Sequence, residues 1–294
     1  MSIAVIINPI SGGARRDAAR ARSELAAGVL SSIAEEGEVL VTARKGHARE
    51  LALGAIARGC RLIVAWGGDG TVNEVGSALI GSPVPLAIVP SGSGNGLARD
   101  LGIARQPARA LTRALRAAPR AIDAGELGGR LFFNLAGVGF DARVGSSFDR
   151  DLAGGRGVAG YFRIAARELL RYRPERYRIG GGAAARAPTA LLITVANGSQ
   201  FGNGMTIAPG ARLDDGRLDL VVFEETSRLR TIGALPRLFA GRAAGARGWS
   251  IERIEQATIE CDRPMLFHVD GEPVEGGTRL DARVLPAALR VCVG

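Results

Sequence analysis

Over the N-terminal part of the chain, short runs of apolar residues alternate with longer segments whose apolar residues recur every three or four positions. The short runs have the length of a buried strand, and the longer spacing is typical of one face of a helix. The pattern predicts strands over 3–7, 39–42, 62–65 and 86–90, and helices over 15–30, over 47–58 and from Val72 onward. Strands that alternate with helices in this way predict a Rossmann-like domain, a parallel sheet with helices on both faces.

The pattern changes at about Asp123. From there on, β-rich runs over 132–141, 191–197, 218–223 and 257–261 are separated by glycine-rich turns. They predict an antiparallel domain, a β-sandwich or a barrel, interrupted by helical stretches near 161–172 and 229–240. Residues 119–122 are the predicted linker, so the predicted domains are 1–122 and 123–294.

Glycine-rich turns follow three of the predicted N-terminal strands, over 8–13, 67–70 and 91–96. Because the carboxyl ends of parallel strands meet at one edge of a sheet, we expect the three turns to gather there. Glycines let a backbone approach a ligand closely, and the amides at the start of a helix favour an anion such as phosphate. The turns therefore predict a phosphate-binding site.

One of these turns, Gly67-Gly68-Asp69-Gly70, also carries a carboxylate. Asp69 would repel a bare phosphate, so the sequence indicates that it faces a metal ion or the proton of a hydroxyl group. The alternative interpretation is a tight structural turn in which Asp69 is only a capping residue.

Composition limits the classes of partner. The chain has 294 residues, enough for two domains, and a formal net charge of +9 in which Lys45 is the single lysine. The positive charge suggests an anionic partner, although a genome that favours arginine and alanine codons would explain it equally well. Aromatic residues make up only 5% of the chain, and no basic strand contains interleaved aromatics, so we expect no nucleic-acid partner.

The cysteines and histidines give no metal site. Three cysteines show no Cys-x-x-Cys spacing and only two histidines accompany them, so we expect reduced core cysteines of a cytoplasmic protein. The opening residues contain no basic leader segment, and no apolar run approaches the roughly 18 residues that span a bilayer. We expect a protein that is soluble or peripheral at the inner face of the membrane.

Two common nucleotide-binding signatures are missing: the Gly-x-x-x-x-Gly-Lys-Ser/Thr loop and a Gly-x-Gly-x-x-Gly turn after a strand. Seven other motifs, in this order, resemble those of the diacylglycerol kinase catalytic family, which includes bacterial lipid kinases and the sphingosine and ceramide kinases. They are Asn8-Pro9-x-Ser11-Gly12, Thr42 with Gly46-His47-Ala48, Gly67-Gly68-Asp69-Gly70-Thr71-x-Asn73-Glu74, Gly92-Ser93-x-Asn95 with Ala98-Arg99, Asn134-x-x-Gly137-x-Gly139-Phe140-Asp141, Asp215-Gly216-x-Leu218-Asp219, and Asp270-Gly271-Glu272.

The resemblance implies a nucleotide domain followed by a β-sandwich, with the active site in the cleft between them, and a kinase that uses ATP and Mg²⁺ on a lipid acceptor. It also implies which residues bind ATP: Asn8, Pro9, Ile10, Ser11, Gly12, Thr42, Gly68, Asp69, Gly70, Thr71, Val72, Asn73, Glu74 and Ser93. Hydroxyl groups and backbone amides can bind phosphates where a lysine is lacking.

By the same resemblance, Glu272 is the general base that takes the proton of the acceptor hydroxyl, and Asp141 lies near the acceptor. With Asp69 these are the predicted catalytic residues. Spacing alone leaves open that Asp270-Gly271-Glu272 is merely a hairpin turn.

A structural Mg²⁺ is implied at Asp215, together with the backbone carbonyl groups of Arg212 and Arg217. The chain departs from many bacterial family members in two places. It has Asn95-Gly96 where they have Asn-Asp, as in the sphingosine and ceramide kinase branch, and Gly12-Gly13 where they have a basic residue.

Two alternatives to a lipid kinase remain at this stage: an NAD- or sugar-type kinase that shares the Gly-Gly-Asp-Gly turn, and a lipid- or nucleotide-binding module without activity. Residues 161–173 combine apolar residues with Arg163, Arg167 and Arg171 on one predicted helix face. That pattern suits an interfacial helix and peripheral membrane contact, but Glu168 and the short length favour the alternative of a helix packed on the sandwich. The sequence leaves a homodimer open.

Overall fold

The computed structural model describes residues 2–13, 18–143, 167–169, 171–181, 185–201, 205–224 and 248–294. The chain forms two compact units, one of Met1–Ile122 with Ala287–Gly294 and the other of Asp123–Pro286. The sequence predicted 123–294 as one domain, whereas the structure places the last eight residues with the first unit.

The first unit is built from alternating strands and helices. Its strands are β1 (Ile3–Ile7), β2 (Gly37–Val41), β3 (Leu62–Gly67) and β4 (Leu86–Pro90), and its helices are α1 (Ala18–Ser32), α2 (His47–Ala57), α3 (Asp69–Leu79), α4 (Gly96–Asp100) and α5 (Pro107–Arg116). The strands are parallel and lie in the order β2-β1-β3-β4.

Helices cover both faces of this sheet, which is why β1, β3 and β4 are buried throughout. On one face, α1 and α5 pack against alternate strand residues that include Val5, Val64 and Val89. The helices α2 and α3 pack against each other, and each also contacts a strand. The predicted Rossmann-like class is confirmed.

The second unit consists mainly of strands. They are the end of β5 (Pro119–Leu127), β6 (Arg130–Phe132), β7 (Leu135–Gly139), β8 (Glu175–Arg176), β9 (Arg178–Gly180), β10 (Thr189–Ala196), β11 (Leu218–Glu224), β12 (Trp249–Ile254), β13 (Gln256–Glu260), β14 (Leu266–Val269), β15 (Glu272–Glu275) and most of β16 (Arg279–Cys292). An antiparallel sheet has the order β12-β11-β10-β7-β14-β15, with β8 beside β10.

A second layer contains β9, β13 and β16, which pair antiparallel, together with β5 and β6. Side chains from both layers form one core, with Phe267 and Ile193 from the first sheet and Ile259, Leu280 and Phe132 from the second. This shared core confirms the predicted β-sandwich.

The predicted linker and the two predicted helical stretches of the second domain have different outcomes. Residues 119–122, predicted as a linker, begin β5 instead. Most of the helical stretch predicted near 161–172, and all of the one near 229–240, lie outside the described residues. None of the helices that the structure describes is long and apolar enough to span a membrane.

Candidate active site

The loops after β1, β3 and β4 meet at one edge of the parallel sheet, as the sequence predicted. Asn8 Nδ2 donates a hydrogen bond to Thr71 Oγ1 at 3.0 Å, which joins the first loop to the start of α3. The hydroxyl groups of Ser11 and Ser91 lie 2.6 Å apart and join the first loop to the third. Side chains of the motifs thus tie the loops to one another.

The hydroxyl group of Ser11 is fully used in this network. It donates to the carbonyl of Asn8 at 3.1 Å and accepts from Arg22 Nη1 at 2.9 Å. Because a hydroxyl has one hydrogen and two lone pairs, Ser91 must be the donor in its 2.6 Å contact with Ser11. In this arrangement Ser11 can offer a phosphate only its backbone.

Arg22 of α1 holds the first loop, a role that the sequence did not predict. Its guanidinium also donates to the carbonyl of Asn8 at 2.6 Å and to the carbonyl of Ser11 at 3.0 Å. Burial lowers the pKa of Arg22 from its ordinary value. The side chain brings positive charge to a loop in which Gly13 stands at the family's basic position. Arg22 lies in none of the motifs. The only sign in the sequence was its position in the predicted helix that follows the first loop.

Asp69 fastens the second glycine turn to the third. Its two carboxylate oxygens accept the backbone N–H groups of Asn95 at 2.7 Å and Gly96 at 2.8 Å, at the start of α4. Asn95 takes a positive φ of 52° and its side chain folds back on Gly92. Asp69 is therefore a capping residue, as the alternative interpretation proposed, but for α4 rather than for its own helix.

Glu74 does the same for the loop after β2. Its carboxylate accepts the N–H groups of Gly46 at 2.8 Å and Ala48 at 3.0 Å, where α2 begins without a side-chain cap of its own. Thr42, which ends the preceding strand region, is buried. The resemblance assigned Glu74 and Thr42 to ATP binding, and the structure shows Glu74 ordering the loop that follows Thr42.

The glycines leave room where the loops approach. A Cβ at Gly67 would overlap Thr71 Oγ1, and a Cβ at Gly92 would lie 2.6 Å from Gly68 Cα, so two backbones touch there. A Cβ at Gly70 would meet nothing within 4 Å. The start of α3 at Gly70 thus has open space beside its backbone, as a phosphate would need.

The other predicted ATP-binding residues differ in exposure. Pro9 is half-buried, Gly12 and Ser93 are exposed, and Ile10 is 74% exposed. The side chain of Val72 is buried in α3, and Asn73 accepts a hydrogen bond from Ser77 within that helix. The loops present mainly backbone to a ligand.

In the second unit, Asp270 and Gly271 form a two-residue hairpin turn between β14 and β15. Both have a positive φ, 47° and 85°, which is typical of a type I′ turn. The Asp270 carboxylate accepts three backbone N–H groups, those of Phe133, Asn134 and Leu135, at 2.9 to 3.1 Å. Glu272 follows directly, paired with Val269 across the hairpin. The turn is a hairpin, and the hydrogen bonds of Asp270 hold the backbone from which Glu272 follows.

Asp141 is buried just beyond Gly139, the last residue of β7. Its Oδ2 accepts a hydrogen bond from Thr194 Oγ1 at 3.1 Å and lies 3.3 Å from His268 Nε2, while its Oδ1 accepts the N–H of Ala142 at 2.8 Å. His268 and Thr194 are buried as well. The sequence assigned no role to either partner.

The loop over 212–217 carries the predicted metal residues. Asp215 accepts the N–H of Arg217 at 3.2 Å, and Asp123, which the sequence missed, accepts the N–H of Gly216 at 2.7 Å. Burial raises the pKa of Asp219, Arg253 opposes this, and the charge of Asp215 raises it further.

Carboxylate oxygens are ligands that suit a hard cation such as Mg²⁺. Among the described residues, no group of three or more His, Cys, Asp or Glu side chains could hold a metal. An ion here would need backbone oxygens, such as those predicted from Arg212 and Arg217.

Comparison with known proteins agrees with this geometry. Residues 2–127 match the model of the diacylglycerol kinase catalytic domain, and residues 134–293 match that of the YegS C-terminal NAD kinase beta sandwich-like domain. A protein of Pseudomonas fluorescens named "probable lipid kinase YegS-like" is 34% identical over 257 residues, which cover 86% of this chain and 84% of that protein. The chain belongs to the diacylglycerol kinase catalytic-domain family.

Other members of the diacylglycerol kinase family give the same picture. A "probable lipid kinase YegS-like" of Citrobacter koseri is 33% identical over 272 residues, covering 90% of this chain and 89% of that protein. The crystal structure of a diacylglycerol kinase from Bacillus anthracis superposes with a TM-score of 0.75 at 19% identity, covering 100% of this chain and 97% of that one. At that identity the superposition supports the fold alone.

Proposed function

We propose that the protein is an ATP-dependent lipid kinase that transfers the γ-phosphoryl group to a lipid hydroxyl. The observation that carries the proposal is the meeting of three glycine-rich loops at the carboxyl edge of the parallel sheet, in a chain with the family's two domains. The chain belongs to a kinase family, and its relatives are named as lipid kinases, which supports a lipid kinase rather than a sugar-type kinase.

The chemistry needs a base and a held nucleotide. The acceptor oxygen bonds to the γ-phosphorus as the bond from that phosphorus to the β–γ bridging oxygen breaks, and ADP leaves. A primary hydroxyl is a poor nucleophile until a carboxylate accepts its proton, the role proposed for Glu272. Its position after a turn held by three hydrogen bonds to Asp270 supports that role, since a base must be fixed within reach of the proton.

We propose that ATP is held chiefly by backbone groups of the loops. The side chains of Asn8, Ser11, Asp69 and Glu74 bind the protein itself, whereas Gly70 has open space beside it and Gly12 is exposed. Peptide N–H groups at the start of a helix can bind phosphate oxygens without a lysine. When bound, Mg²⁺ neutralises charge on the transferred phosphoryl group.

The acceptor lipid lies in a bilayer, so peripheral membrane contact at the cytoplasmic face belongs to the proposal. The net charge of +9 suits an anionic surface. Residues 161–166 and 170 of the predicted interfacial helix lie outside the described residues, so membrane contact through this helix stays a prediction. Leu169 and Tyr172, which are described, are buried in a core cluster of the second unit, which favours the alternative of a helix packed on the sandwich.

The proposal is tested by offering ATP with labelled γ-phosphate and a panel of lipid hydroxyl acceptors in mixed micelles. We expect label in a lipid product that depends on both the acceptor and the protein. Label transferred to NAD or to a sugar in the absence of micelles would support the sugar-type alternative. ATP binding without transfer to any acceptor would support an inactive binding module.

Glu272→Gln tests the base. We expect kcat to fall by about 100-fold or more, because general acid–base catalysis contributes on the order of 100-fold to 10,000-fold. The KM for ATP should change little, because Glu272 acts on the acceptor. Glu275→Gln, on the same strand and exposed, is the matched control. A large loss of ATP affinity in Glu272→Gln would place Glu272 at the nucleotide instead.

Asp215→Ala tests the proposed Mg²⁺ site. A metal that binds only the folded protein stabilises it by about 2.7 kcal/mol at 100 times its dissociation constant, so Mg²⁺ should raise the melting temperature of the parent protein. We expect this rise to disappear in Asp215→Ala and to persist in Asp214→Ala, whose carboxylate is exposed and pairs with Arg212. Equal changes of melting temperature with Mg²⁺ in all three proteins would contradict the proposed Mg²⁺ site.

A further inference from the structure

Three residues form a row across neighbouring strands of the second unit. Thr194 of β10 lies opposite Gly137 of β7, and Gly137 lies opposite His268 of β14. Residues that are directly opposite in a sheet point to the same face, so Thr194 and His268 flank a position that has no side chain.

The carboxylate of Asp141 fills the gap at Gly137. A Cβ on Gly137 would overlap Asp141 Oδ2 and lie 2.9 Å from His268 Nε2. Asp141 reaches this place from the end of β7, and there it meets Thr194 on one side and His268 on the other. The glycine is thus required for a buried cluster of three polar side chains.

The hydrogen bonds of His268 define its tautomer. Nδ1 accepts the backbone N–H of Gly271 at 3.4 Å, so this nitrogen carries no proton. Nε2 therefore carries the proton and donates it to Asp141 Oδ2 at 3.3 Å. A side chain that is only 4% exposed has both of its ring nitrogens committed.

One of those bonds ends on the hairpin turn before Glu272. The Asp270 end of the turn is held by its carboxylate, which binds the backbone over 133–135, and by its own N–H, which donates to the Leu135 carbonyl at 2.8 Å. At the Gly271 end, the described hydrogen bond is the one that the Gly271 N–H donates to His268. Asp270 has the positive φ that Asp-Gly pairs adopt in type I′ turns, so the sequence of the turn suits its conformation. Glu272 leaves this turn on the face of β15 opposite to that of Pro273 and His268.

We propose that His268 is a positioning residue for Glu272. It fixes the Gly271 end of the turn through Nδ1, and its own ring is held in place by Asp141 through Nε2. This inference rests on the proposed function, because it assumes that Glu272 is the base. Sequence motifs could not show it, since His268 precedes the Asp-Gly-Glu motif and its partners come from other strands.

Two substitutions separate the two bonds of the ring. In His268→Asn, the side-chain oxygen lies near the place of Nδ1 and can accept the Gly271 N–H, but the side chain is too short to reach Asp141. In His268→Gln, the amide group reaches the place of Nε2 and can donate to Asp141, but no acceptor remains for Gly271. We expect kcat to stay within about threefold of the parent in the Asn variant and to fall on the order of tenfold to 100-fold in the Gln variant.

In both variants the KM for ATP should stay within about twofold of the parent value, because the turn acts on the acceptor side. Thr194→Val is the matched control, since it removes a hydrogen bond from Asp141 without touching the turn. Its melting temperature should fall like that of the His268 variants while its kcat exceeds that of His268→Gln. Equal kcat values in the Asn and Gln variants, or a Thr194→Val variant as slow as His268→Gln, would overturn the proposal.

A measurement on the unaltered protein covers the case in which a variant fails to fold. The ¹⁵N shifts of labelled histidine show which ring nitrogen is protonated, and His47→Gln identifies the signal of the only other histidine. We expect protonation at Nε2 and a slowly exchanging Gly271 amide. Protonation at Nδ1, or a rapidly exchanging Gly271 amide, would contradict the proposal.

Backbone NMR spectra of the two His268 variants also distinguish failure of this inference from failure of the proposed function. The backbone amide signals of Gly271 and Glu272 should move in His268→Gln and remain in place in His268→Asn. If no lipid is phosphorylated, the proposed function fails, yet these shifts still show whether His268 positions the turn. If the lipid kinase is active but the shifts are alike in both variants, only the inference fails.

Discussion

Acidic side chains of the N-terminal motifs bind backbone N–H groups of neighbouring loops. Asp69 accepts two such groups from the third loop, and Glu74 accepts two from the loop after β2. A carboxylate bound to N–H groups makes charge-assisted hydrogen bonds, which are stronger than those between neutral groups. The charges that suggested direct contact with ATP therefore also shape the site in which ATP would lie.

Asp69→Asn should consequently affect both stability and activity. An amide side chain offers one acceptor and turns its NH₂ group toward a backbone donor, so one of the two bonds to Asn95 and Gly96 is lost. We expect the free energy of unfolding to fall by about 1–3 kcal/mol and kcat/KM to fall by about 100-fold or more.

Thermal unfolding and steady-state kinetics check this prediction. Glu50→Gln is the control, because Glu50 is exposed and pairs with Arg44 at the surface, where an ion pair contributes about 0–1 kcal/mol. If Asp69→Asn keeps both the stability and the turnover of the parent protein, the hydrogen bonds that Asp69 accepts from Asn95 and Gly96 contribute to neither.

Single residues also mark the limit of what the sequence can predict. Motif spacing correctly placed Asn8, Thr71 and Ser91 near one another, because the loops after parallel strands share one edge. It could not predict that Ser11 is saturated by Arg22 and Ser91, since hydrogen-bond partners distant in the chain depend on side-chain geometry rather than on spacing.

At the scale of elements, helix starts in the first unit are capped from outside. Helix α2 follows Gly46 and α4 follows Asn95, both in a left-handed conformation and both without a side-chain cap of their own. Glu74 and Asp69, from the first two turns of α3, supply the acceptors instead. As a result, α3 orders two other helices, and a change at its N-terminal end reaches three loops.

Arg22 gives α1 a similar hold on the first loop. We expect Arg22→Gln to raise the KM for ATP by about tenfold or more. A charge-assisted hydrogen bond contributes about 1.5–3 kcal/mol, and 1.4 kcal/mol corresponds to a tenfold change in affinity. Arg22→Lys should recover only part of the loss, since an ammonium group cannot donate in the fork geometry of a guanidinium.

The control for Arg22 lies on the same helix. Arg20 pairs with Glu24 at the surface, where the Arg20 side chain is 87% exposed, so Arg20→Gln should leave the KM for ATP unchanged. Comparable KM values for the variants at positions 20 and 22 would contradict a role for Arg22 in the loop.

Several predicted boundaries lie close to those of the structure, whereas α4, α5 and strands such as β12, β15 and β16 were not predicted. The predicted strand over 86–90 is β4, and the predicted helix over 47–58 is α2 within one residue. The predicted linker over 119–122 lies where the two units divide, but it is the start of strand β5 rather than a connection. Proline and arginine at the start of β5 resemble a connection, and the pairing of β5 with β6 and β16 depends on residues far along the chain.

At the scale of the whole molecule, the first unit is discontinuous in sequence. Val291 and Cys292 of β16 pair parallel with Leu86 and Ala87 of β4, and all four are buried. The sequence analysis predicted no strand after 257–261, and a local pattern cannot reveal a partner strand that lies far away in the chain, so these residues were assigned to the second domain.

Removal of residues 287–294 should therefore unfold or greatly destabilise the first unit. Burial of each large apolar side chain contributes about 1.5–3 kcal/mol, and a domain is stable by only about 5–15 kcal/mol. Calorimetry of the shortened protein should show an earlier transition and no ATP-dependent stabilisation. Arg290→Gln, at an exposed position in the same strand, should unfold like the parent protein. An unchanged transition after the removal would mean that β4 needs no partner on this side.

Because β16 contributes residues to both units, its position at the end of the chain affects the order in which the two units can fold during synthesis. Residues 287–294 leave the ribosome only after every residue of the second unit has been made, so β4 waits with an open edge during that interval. Exposed strand edges are where nascent chains pair wrongly and aggregate. All strand residues of the second unit, by contrast, are synthesised before residues 287–294. The first unit is therefore begun first and completed last.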